Sequence, residues 1–400
     1  MSLRDEFPIF AAQGPSFHYL DNAATGQICR AAAEALIAYE TTARANVKRG
    51  VYRLADSATN AFEEARRRVA AYVGAGDPSE IVFTSGATLA LNTAAHALGS
   101  KLRPGDEILL SELEHHANIV PWQMVAERAG ARVRALPVTE EGRLDYDRLD
   151  DAVSERTRIV AVTHCSNVTG AVTDLGHVAD AARAVGAYLV VDGAQRAPHG
   201  PIDIGVLGCD LYAFSAHKMF GPTGAGALWG RRDLLEELPP FLGGGEMIRR
   251  VSFEGTTYAP PPHRFEAGTP AVGPILGFGA AAAWLTTLDW AALGRKETEL
   301  TGRILSGLEA MPRVRIVGPT GLQQRLGVVA FEVDGVHAHD VCQMLDTHGV
   351  CLRGGHHCAQ PLMERFDLAA TARASIALYN DAADVDALLN GLDSTIRTLG

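Results

Sequence analysis

The chain has 400 residues, 47% of them hydrophobic and 21% charged, which is enough for a large buried core and for two domains. This composition argues against a disordered or fibrous protein. Its formal net charge of −11 at pH 7 argues against nucleic acid as the main partner, because neutralising phosphates needs an excess of Lys and Arg.

Short aliphatic runs alternate with stretches of helical period in the first half of the chain, which predicts an α/β sheet with helices on both faces. The predicted strands cover residues 80–84, 107–110, 132–136, 158–163, 188–192 and 211–215. The predicted helices cover residues 58–73, 89–98, 120–129 and 176–185, with a shorter one at 147–153.

Residues 258–274 are rich in Pro and Gly, a composition typical of a loop or linker. Beyond this segment the pattern predicts helices at 277–288 and 295–311, a strand at 328–333, and helices at 339–348 and 384–399. The last of these helices is amphipathic and is expected to pack on a small sheet. We therefore expect a large domain at 20–285 and a small domain formed by 1–19 and 286–400.

The start of the chain, Met1 to Glu6, lacks a basic segment followed by an apolar one, and no apolar stretch is long and uncharged enough to span a bilayer. These patterns predict a cytoplasmic protein without a membrane partner. The six cysteines lack C-x-x-C spacing, so a disulfide framework is not expected. Cys165 and Cys209 lie among apolar residues and are predicted to be buried, whereas Cys358 has polar neighbours.

Lys218 lies in the segment Ser215-Ala216-His217-Lys218, ahead of a Gly-rich stretch. A lone lysine of this kind is usually a solvated surface residue, and neither a Walker loop nor a G-x-G-x-x-G fingerprint is present. Its companions favour a different interpretation. Asp192 ends an apolar strand, where ligands of open α/β sheets bind and where a carboxylate can hold a pyridinium nitrogen in its protonated form.

Further groups that suit a phosphate and an aromatic ring lie near strand ends. The segment Thr84 to Thr88, which includes Ala87, ends a strand and opens a helix, so its N–H groups and the Thr88 hydroxyl can cradle a phosphate. Ser215 and His217 add donors beside the lysine, and Asn167 follows another strand. Together these residues predict a site for pyridoxal phosphate (PLP).

The segment Arg353-Gly354-Gly355-His356-His357-Cys358 places a thiol among cationic or proton-bearing neighbours. Three consecutive residues do not suit a tetrahedral zinc site, and no second cluster completes one, so no metal is expected. His115 and His116 could be ordinary polar residues at the start of a helix. Because adjacent residues point in different directions, at most one of them is expected to face a bound ring.

With these motifs the chain resembles the SufS-type (group II) cysteine desulfurases, class V PLP enzymes of the aspartate-aminotransferase fold (fold type I) that also include selenocysteine lyases. The resemblance runs from about Tyr19 to Asn380 and implies a large domain with a mostly parallel sheet and a smaller α+β C-terminal domain. Its motifs are 19–24, 114–122, 192–195, 215–218, 243–248, 264–270, 353–359 and 372–375.

The resemblance implies roles for individual residues. Lys218 would bind PLP covalently, Asp192 would pair with the pyridinium, and His115 would stack on the ring and move a proton to or from the substrate thiol. Gln195 and Asn167 would contact the ring oxygen, and Asn167 the substrate as well. The implied phosphate ligands are Ala87, Thr88, Ser215 and His217 with Thr269 of a neighbouring subunit; the implied substrate ligands are Arg373, Arg353 and Arg49.

The implied reaction removes sulfur from L-cysteine, gives L-alanine and leaves a persulfide on Cys358. The sulfur would pass to an acceptor protein of SufE or SufU type for iron–sulfur cluster assembly, with His339 as a candidate contact for that protein; a polar helix start is an equally good interpretation of His339. The implied assembly is a homodimer. A selenocysteine lyase, which would need Cys358 little, and a class V aminotransferase stay open as alternatives; intact Lys218 and Asp192 argue against an inactive sulfur-carrier scaffold.

Two positions depart from the family pattern. The phosphate turn reads Gly86-Ala87-Thr88-Leu89 where many relatives have Gly-Thr-Thr-Glu, which removes a hydroxyl and a carboxylate. Gly354 follows Arg353 where relatives often have Thr, Ala or Ser. The first departure is expected to affect cofactor affinity, and the second to loosen the loop that carries Cys358.

Overall fold

The computed structural model describes residues 3–48 and 50–399. Its strands are β1 (His18–Tyr19), β2 (Ile81–Thr84), β3 (Glu107–Ser111), β4 (Arg132–Leu136), β5 (Thr157–Thr163), β6 (Tyr188–Asp192), β7 (Leu211–Ser215), β8 (Gly226–Gly230), β9 (Ile248–Ser252), β10 (Gly255–Tyr258), β11 (Val314–Val317), β12 (Val328–Val333), β13 (Val350–Cys351), β14 (Arg353–Gly355) and β15 (Thr371–Ser375).

The α-helices lie between these strands and at both ends of the described chain. They are α1 (Pro8–Gln13), α2 (Arg30–Ala38), α3 (Arg53–Val73), α4 (Ala87–Gly99), α5 (Val120–Ala129), α6 (Leu149–Ala152), α7 (Leu175–Ala184), α8 (Arg232–Glu237), α9 (Val272–Leu285), α10 (Trp290–Glu309), α11 (Ala338–Asp346), α12 (Gln360–Arg365) and α13 (Ala382–Leu399).

The large sheet has seven strands in the order β2-β8-β7-β6-β5-β3-β4. The strands from β7 to β4 pair in parallel, whereas β8 runs antiparallel to both β2 and β7. Because its central strands are buried on both faces, they read as continuous apolar runs rather than as an alternating pattern. The predicted α/β class, with a mostly parallel sheet between helices, is confirmed.

Two apolar layers enclose this sheet. In β6, Leu189 and Val191 face the layer that contains α3, α7 and α9, whereas Val190 faces the layer that contains α4 and α5. This period of two follows from the alternation of side chains along a strand. Packing on both faces holds the strands in place, and with them the strand ends that carry the polar residues of the candidate site.

A second, four-stranded antiparallel sheet has the order β11-β12-β15-β14 and packs against α10, α11 and α13 through its own apolar cluster. The N-terminal segment joins this part of the molecule, since β1 pairs in parallel with β13. Asp21 continues the contact through a bridge to Ser375. The division of the chain into two domains stays a prediction.

The observed elements differ from the predicted ones in several places. The strands β9, β10, β11, β14 and β15 and the helices α2, α8 and α12, among others, were not predicted. The strand β8 was not predicted, and α9 begins at Val272, inside the segment predicted to be a linker. Helix α10 begins at Trp290, five residues before its predicted start, because Asp289 caps it by accepting a hydrogen bond from the Ala292 N–H. Among the described residues, no single helix is long and apolar enough to cross a bilayer; α9 and α10 pass such a test only as a pair bent by 91°.

Candidate active site

A cavity of about 240 Å³ opens where β5, β6 and β7 of the large sheet end and the small sheet approaches. This is the edge at which parallel α/β sheets bind their ligands. It brings together twelve of the fourteen predicted site residues: Ala87, Thr88, His115, Asn167, Asp192, Gln195, Ser215, His217, Lys218, Arg353, Cys358 and Arg373.

Thr269, another predicted site residue, is not among the residues that line the cavity. Thr269 is exposed on the loop that leads into α9. Its assignment to the site of a neighbouring subunit stays a prediction. Arg49 lies outside the described residues.

Lys218 and Asp192 supply the opposite charges of the cavity floor. Lys218 follows β7 at the end of a single 3-10 turn, and burial lowers its pKa to about 8, against the opposing effect of Asp192. Asp192 ends β6, is 5% exposed and accepts a hydrogen bond from the Ala194 N–H at 3.0 Å. Burial raises the pKa of Asp192, while the Lys218 charge acts in the opposite direction. A buried carboxylate of this kind favours a cationic partner.

The junction between β2 and α4 forms an anion-binding corner. Helix α4 has thirteen residues and begins at Ala87, so its first N–H groups and the positive end of its dipole face the cavity. The Ala87 N–H donates to Ser215 Oγ at 2.7 Å, which fixes the turn against the end of β7. His217 Nδ1 lies 3.1 Å from Thr25 Oγ1. The corner fits a phosphate.

His115 lies above the cavity on the segment that follows β3. Its Nδ1 accepts a hydrogen bond from the Ala117 N–H at 3.0 Å, so Nε2 carries the proton of the neutral ring. Burial and then the Lys218 charge lower the pKa of His115 to about 4. The imidazole is therefore neutral near pH 7. His116, the second member of the pair, accepts a hydrogen bond from the Gln360 N–H and does not line the cavity.

Arg373 approaches the cavity from β15 and is 2% exposed. Its Nη1 donates to the Asn167 carbonyl at 2.9 Å, and its Nη2 donates to Asp21 Oδ1 at 3.1 Å. Arg353 donates from Nε to the same carboxylate, at 3.2 Å to Oδ2. The Arg373 Nε has no hydrogen-bond partner in the part of the chain that the structure describes. A buried guanidinium with an unpaired N–H suits a carboxylate ligand.

Cys358 is the exposed member of the six cysteines; Cys29, Cys165 and Cys209 are buried, as predicted for the last two. Burial raises the pKa of Cys165 and Cys209 to about 12, so their thiols are poor nucleophiles. Cys358 adopts a left-handed backbone with a φ of 56° and lines the cavity together with Lys218.

Gly354 has a packing reason in this structure. A Cβ at this position would lie 2.9 Å from the Ala338 carbonyl oxygen and 3.0 Å from His339 Cδ2. The glycine therefore lets β14 approach the start of α11 closely, and His339 is exposed beside the strand that leads to Cys358.

The sequence interpretation missed the roles of Asp21 and Glu114. Asp21 belongs to a motif that was noted only for its resemblance, and its contacts come from residues more than 300 positions away. Glu114 is fully buried and accepts hydrogen bonds from the Thr163 N–H at 2.9 Å and from Asn118 at 2.7 Å. A charged residue directly before the His pair was the available signal.

Comparisons with known proteins agree with this geometry. The class-V aminotransferase family model matches residues 18–388. A probable cysteine desulfurase of Streptomyces coelicolor is 44% identical over 407 residues, which cover 100% of this chain and 97% of that protein. A cysteine desulfurase of Pectobacterium carotovorum is 44% identical over 402 residues, which cover 100% of this chain and 98% of that protein.

A solved structure of a cysteine desulfurase also has the same fold as this chain. The crystal structure of the cysteine desulfurase CsdA (S-sulfonic acid) from Escherichia coli superposes with a TM-score of 0.92 at 39% sequence identity. The match covers 99% of this chain and 98% of that one.

Proposed function

Since this chain belongs to the class-V aminotransferase family, we propose that it is a PLP-dependent cysteine desulfurase of the SufS type. It converts L-cysteine to L-alanine and leaves the sulfur as a persulfide on Cys358. One observation carries this proposal: the partly buried lysine Lys218 and the buried carboxylate of Asp192 open on the same cavity as the exposed residue Cys358.

The cavity fits PLP. Lys218 would hold the aldehyde carbon, Asp192 the ring nitrogen, and the corner at Ala87 and Thr88 the phosphate. Gln195 and Asn167 lie on the walls, where they would contact the ring oxygen. When bound, PLP serves as an electron sink that weakens the Cβ–S bond of the substrate.

Arg373 would bind the substrate carboxylate, because its buried Nε donor has no hydrogen-bond partner among the described residues. Asn167 and Arg353 line the same wall. Arg49 is assigned to the substrate channel from the family pattern alone.

Two groups can move protons. Because its pKa is about 8, a fraction of Lys218 is the free amine near neutral pH, and this amine can accept the Cα proton. The neutral imidazole of His115 carries its proton on Nε2 and can exchange it with the substrate thiol.

In the sulfur step, the Cys358 thiolate attacks the substrate sulfur. An S–S bond forms, the Cβ–S bond breaks, and its electron pair stays on carbon, which takes up protons to become the methyl group of alanine. The transferred sulfur is oxidised to the sulfane level and the carbon is reduced, so no external oxidant is needed. The persulfide then passes to an acceptor protein, of SufE or SufU type, for iron–sulfur cluster assembly.

The proposal extends to assembly and location. We propose a cytoplasmic homodimer in which Thr269 reaches the phosphate corner of the other subunit, since Thr269 is exposed and does not line the cavity of its own chain. His339, exposed beside β14, would contact the acceptor protein.

The test is Cys358→Ala. We expect the variant to keep the absorption band of bound PLP and to lose nearly all alanine formation from cysteine, with activity on selenocysteine largely retained. Cys342→Ala is the matched control and should behave like the wild type, because burial raises the pKa of Cys342 to about 12. If Cys358→Ala formed alanine from cysteine at the wild-type rate, the persulfide route would be wrong.

A further inference from the structure

The backbone around Cys358 is held by two imidazoles that the proposed chemistry does not use. His116, on the segment after β3, accepts a hydrogen bond at Nε2 from the Gln360 N–H at 3.1 Å. The main-chain N–H of His116, not its ring, donates to the Cys358 carbonyl at 2.7 Å. His356 accepts a hydrogen bond at Nδ1 from the Cys358 N–H at 3.0 Å.

These contacts hold a backbone that would otherwise be unfavourable. His357 and Cys358 have φ values of 52° and 56°, the left-handed region that residues with a Cβ adopt at a cost. The hydrogen bond from the Cys358 N–H to His356 closes a turn over two residues, the geometry that an Asn or Asp side chain forms in an Asx turn. His116 secures the next turn from the other side of the cavity.

Both imidazoles act as acceptors, so each must keep one nitrogen free of a proton. The rings of His116 and His356 lie 5.6 Å apart. Burial and then the neighbouring His356 lower the pKa of His116, which keeps its ring neutral. Neither ring is among the groups that line the cavity, so contact with the substrate does not explain their position.

We propose that His116 and His356 are positioning residues that clamp the Cys358 loop between the large and the small sheet, so that its thiol faces the substrate sulfur. His116 comes from the large-sheet side, and its ring bonds to the Gln360 N–H. His356 comes from the small-sheet side, and its ring bonds to the Cys358 N–H. This inference rests on the proposed function, since it gives the clamp a part in the sulfur step. The clamp itself is a property of the folded chain without substrate.

The experiment compares His116→Ala and His356→Ala with two conservative variants, in the PLP-loaded full chain. His116→Gln offers a carbonyl acceptor in place of Nε2, and His356→Asn offers one in place of Nδ1. His177→Ala, an exposed histidine on α7, is the matched control. Hydrogen exchange of the peptide that spans residues 353–363 is measured together with kcat and KM for cysteine.

We expect the Cys358 amide to exchange about fivefold faster in His356→Ala, and the Gln360 amide to exchange about fivefold faster in His116→Ala. Each increase is the effect of losing one hydrogen bond. Their kcat for cysteine should fall about tenfold, because a displaced nucleophile loses alignment, with KM changed less than about twofold. The PLP absorption band should stay as in the wild type. The Gln and Asn variants should recover most of both losses, and His177→Ala should match the wild type.

Three results would overturn the clamp: wild-type exchange and kcat in the alanine variants, no recovery in the conservative variants, or loss of PLP binding together with kcat, which indicates a general role in folding. Failure of the proposed function looks different. The wild type would then form no alanine from cysteine, while the exchange measurement would still decide whether the two imidazoles hold the loop.

Discussion

Asp21 joins two arginines that the sequence analysis treated separately. Its carboxylate accepts hydrogen bonds from Arg373 Nη2 at 3.1 Å and from Arg353 Nε at 3.2 Å. Arg373 is buried while Arg353 is exposed, so the carboxylate compensates mainly the buried charge. Asp21 therefore orients the guanidinium that we propose binds the substrate carboxylate.

The substitution Asp21→Asn should weaken substrate binding more than it slows the chemical steps. An amide lacks the negative charge that holds both arginines, so Arg373 loses its orientation and part of its charge compensation. We expect KM for cysteine to rise about tenfold, the loss typical of a charge-assisted hydrogen bond, and kcat to change less. Steady-state kinetics test this, with Asp180→Asn, at an exposed position of α7, as the control; an unchanged KM would contradict it.

Glu114 should make stability depend on pH. Burial raises its pKa from the ordinary value of 4.5 to about 8, so the folded chain favours the neutral acid. The contribution of Glu114 to the free energy of unfolding is fully present below about pH 4.5, where the unfolded chain is also protonated. This contribution is lost as the pH rises through about 8.

The variant Glu114→Gln is neutral at every pH and should lack this loss. Relative to the wild type, its melting temperature is expected to rise steadily between pH 5 and pH 8, as measured by differential scanning calorimetry of the holoenzyme. Glu140→Gln, at an exposed position, should show no such trend. If the melting temperatures of Glu114→Gln and the wild type changed in parallel with pH, the raised pKa of Glu114 would be wrong.

The sequence pointed to site residues whose own side chains suit the proposed chemistry, and it missed residues that contact and orient them. Lys218, Asp192 and Cys358 stand out because their residue types and strand-end positions suit PLP and sulfur chemistry. The contacts of Asp21 and the bond from the Gln360 N–H to His116 join distant segments. Such contacts follow only from the packing of the small sheet on the large one, which local patterns do not specify.

At the level of elements, the bounds of the parallel strands were predicted to within one residue. In the central strands the reason is that both faces are buried, which gives continuous apolar runs. The strand β8 escaped prediction because it begins and ends in glycine, Gly226 and Gly230, and follows a Pro- and Gly-rich turn. Glycine weakens the local preference for a strand. In the folded chain, however, β8 fills the space between β2 and β7 and is entirely buried.

Gly226 shows why β8 needs glycine. A Cβ there would lie 2.5 Å from Gly86 Cα and 2.8 Å from the Phe214 carbonyl oxygen, both backbone atoms that cannot move independently. Gly226→Ala should therefore push Gly86 away and distort the phosphate corner at the start of α4. We expect a loss of stability of about 2 kcal/mol or more and weaker PLP binding.

Thermal unfolding and PLP titration measure the two effects of Gly226→Ala. Gly321→Ala is the control, because a Cβ at Gly321 would have no heavy atom within 4 Å. If Gly226→Ala bound PLP with wild-type affinity, the packing of β8 would not affect the phosphate corner, and this prediction would be wrong.

For the molecule as a whole, the loop that carries Thr269 is held by a buried ion pair three residues before Thr269. Glu266 accepts a hydrogen bond from Arg66 at 2.6 Å, and both side chains are buried. Three residues later Thr269 is exposed and does not line the cavity of its own chain. A firmly held loop with an exposed hydroxyl fits the proposal that Thr269 completes the phosphate corner of a second copy in a closed two-fold dimer.

Mixed dimers of Lys218→Ala and Thr269→Ala subunits test this arrangement. If Thr269 serves the other subunit, one site of the mixed dimer carries both substitutions, while the other combines an intact Lys218 with an intact Thr269. The Lys218→Ala homodimer should be inactive and the Thr269→Ala homodimer should bind PLP weakly, yet the mixed dimer should regain about half of the wild-type activity, as expected for two shared sites. If Thr269 served its own chain, the intact lysine would always meet the altered threonine, and mixing would restore nothing.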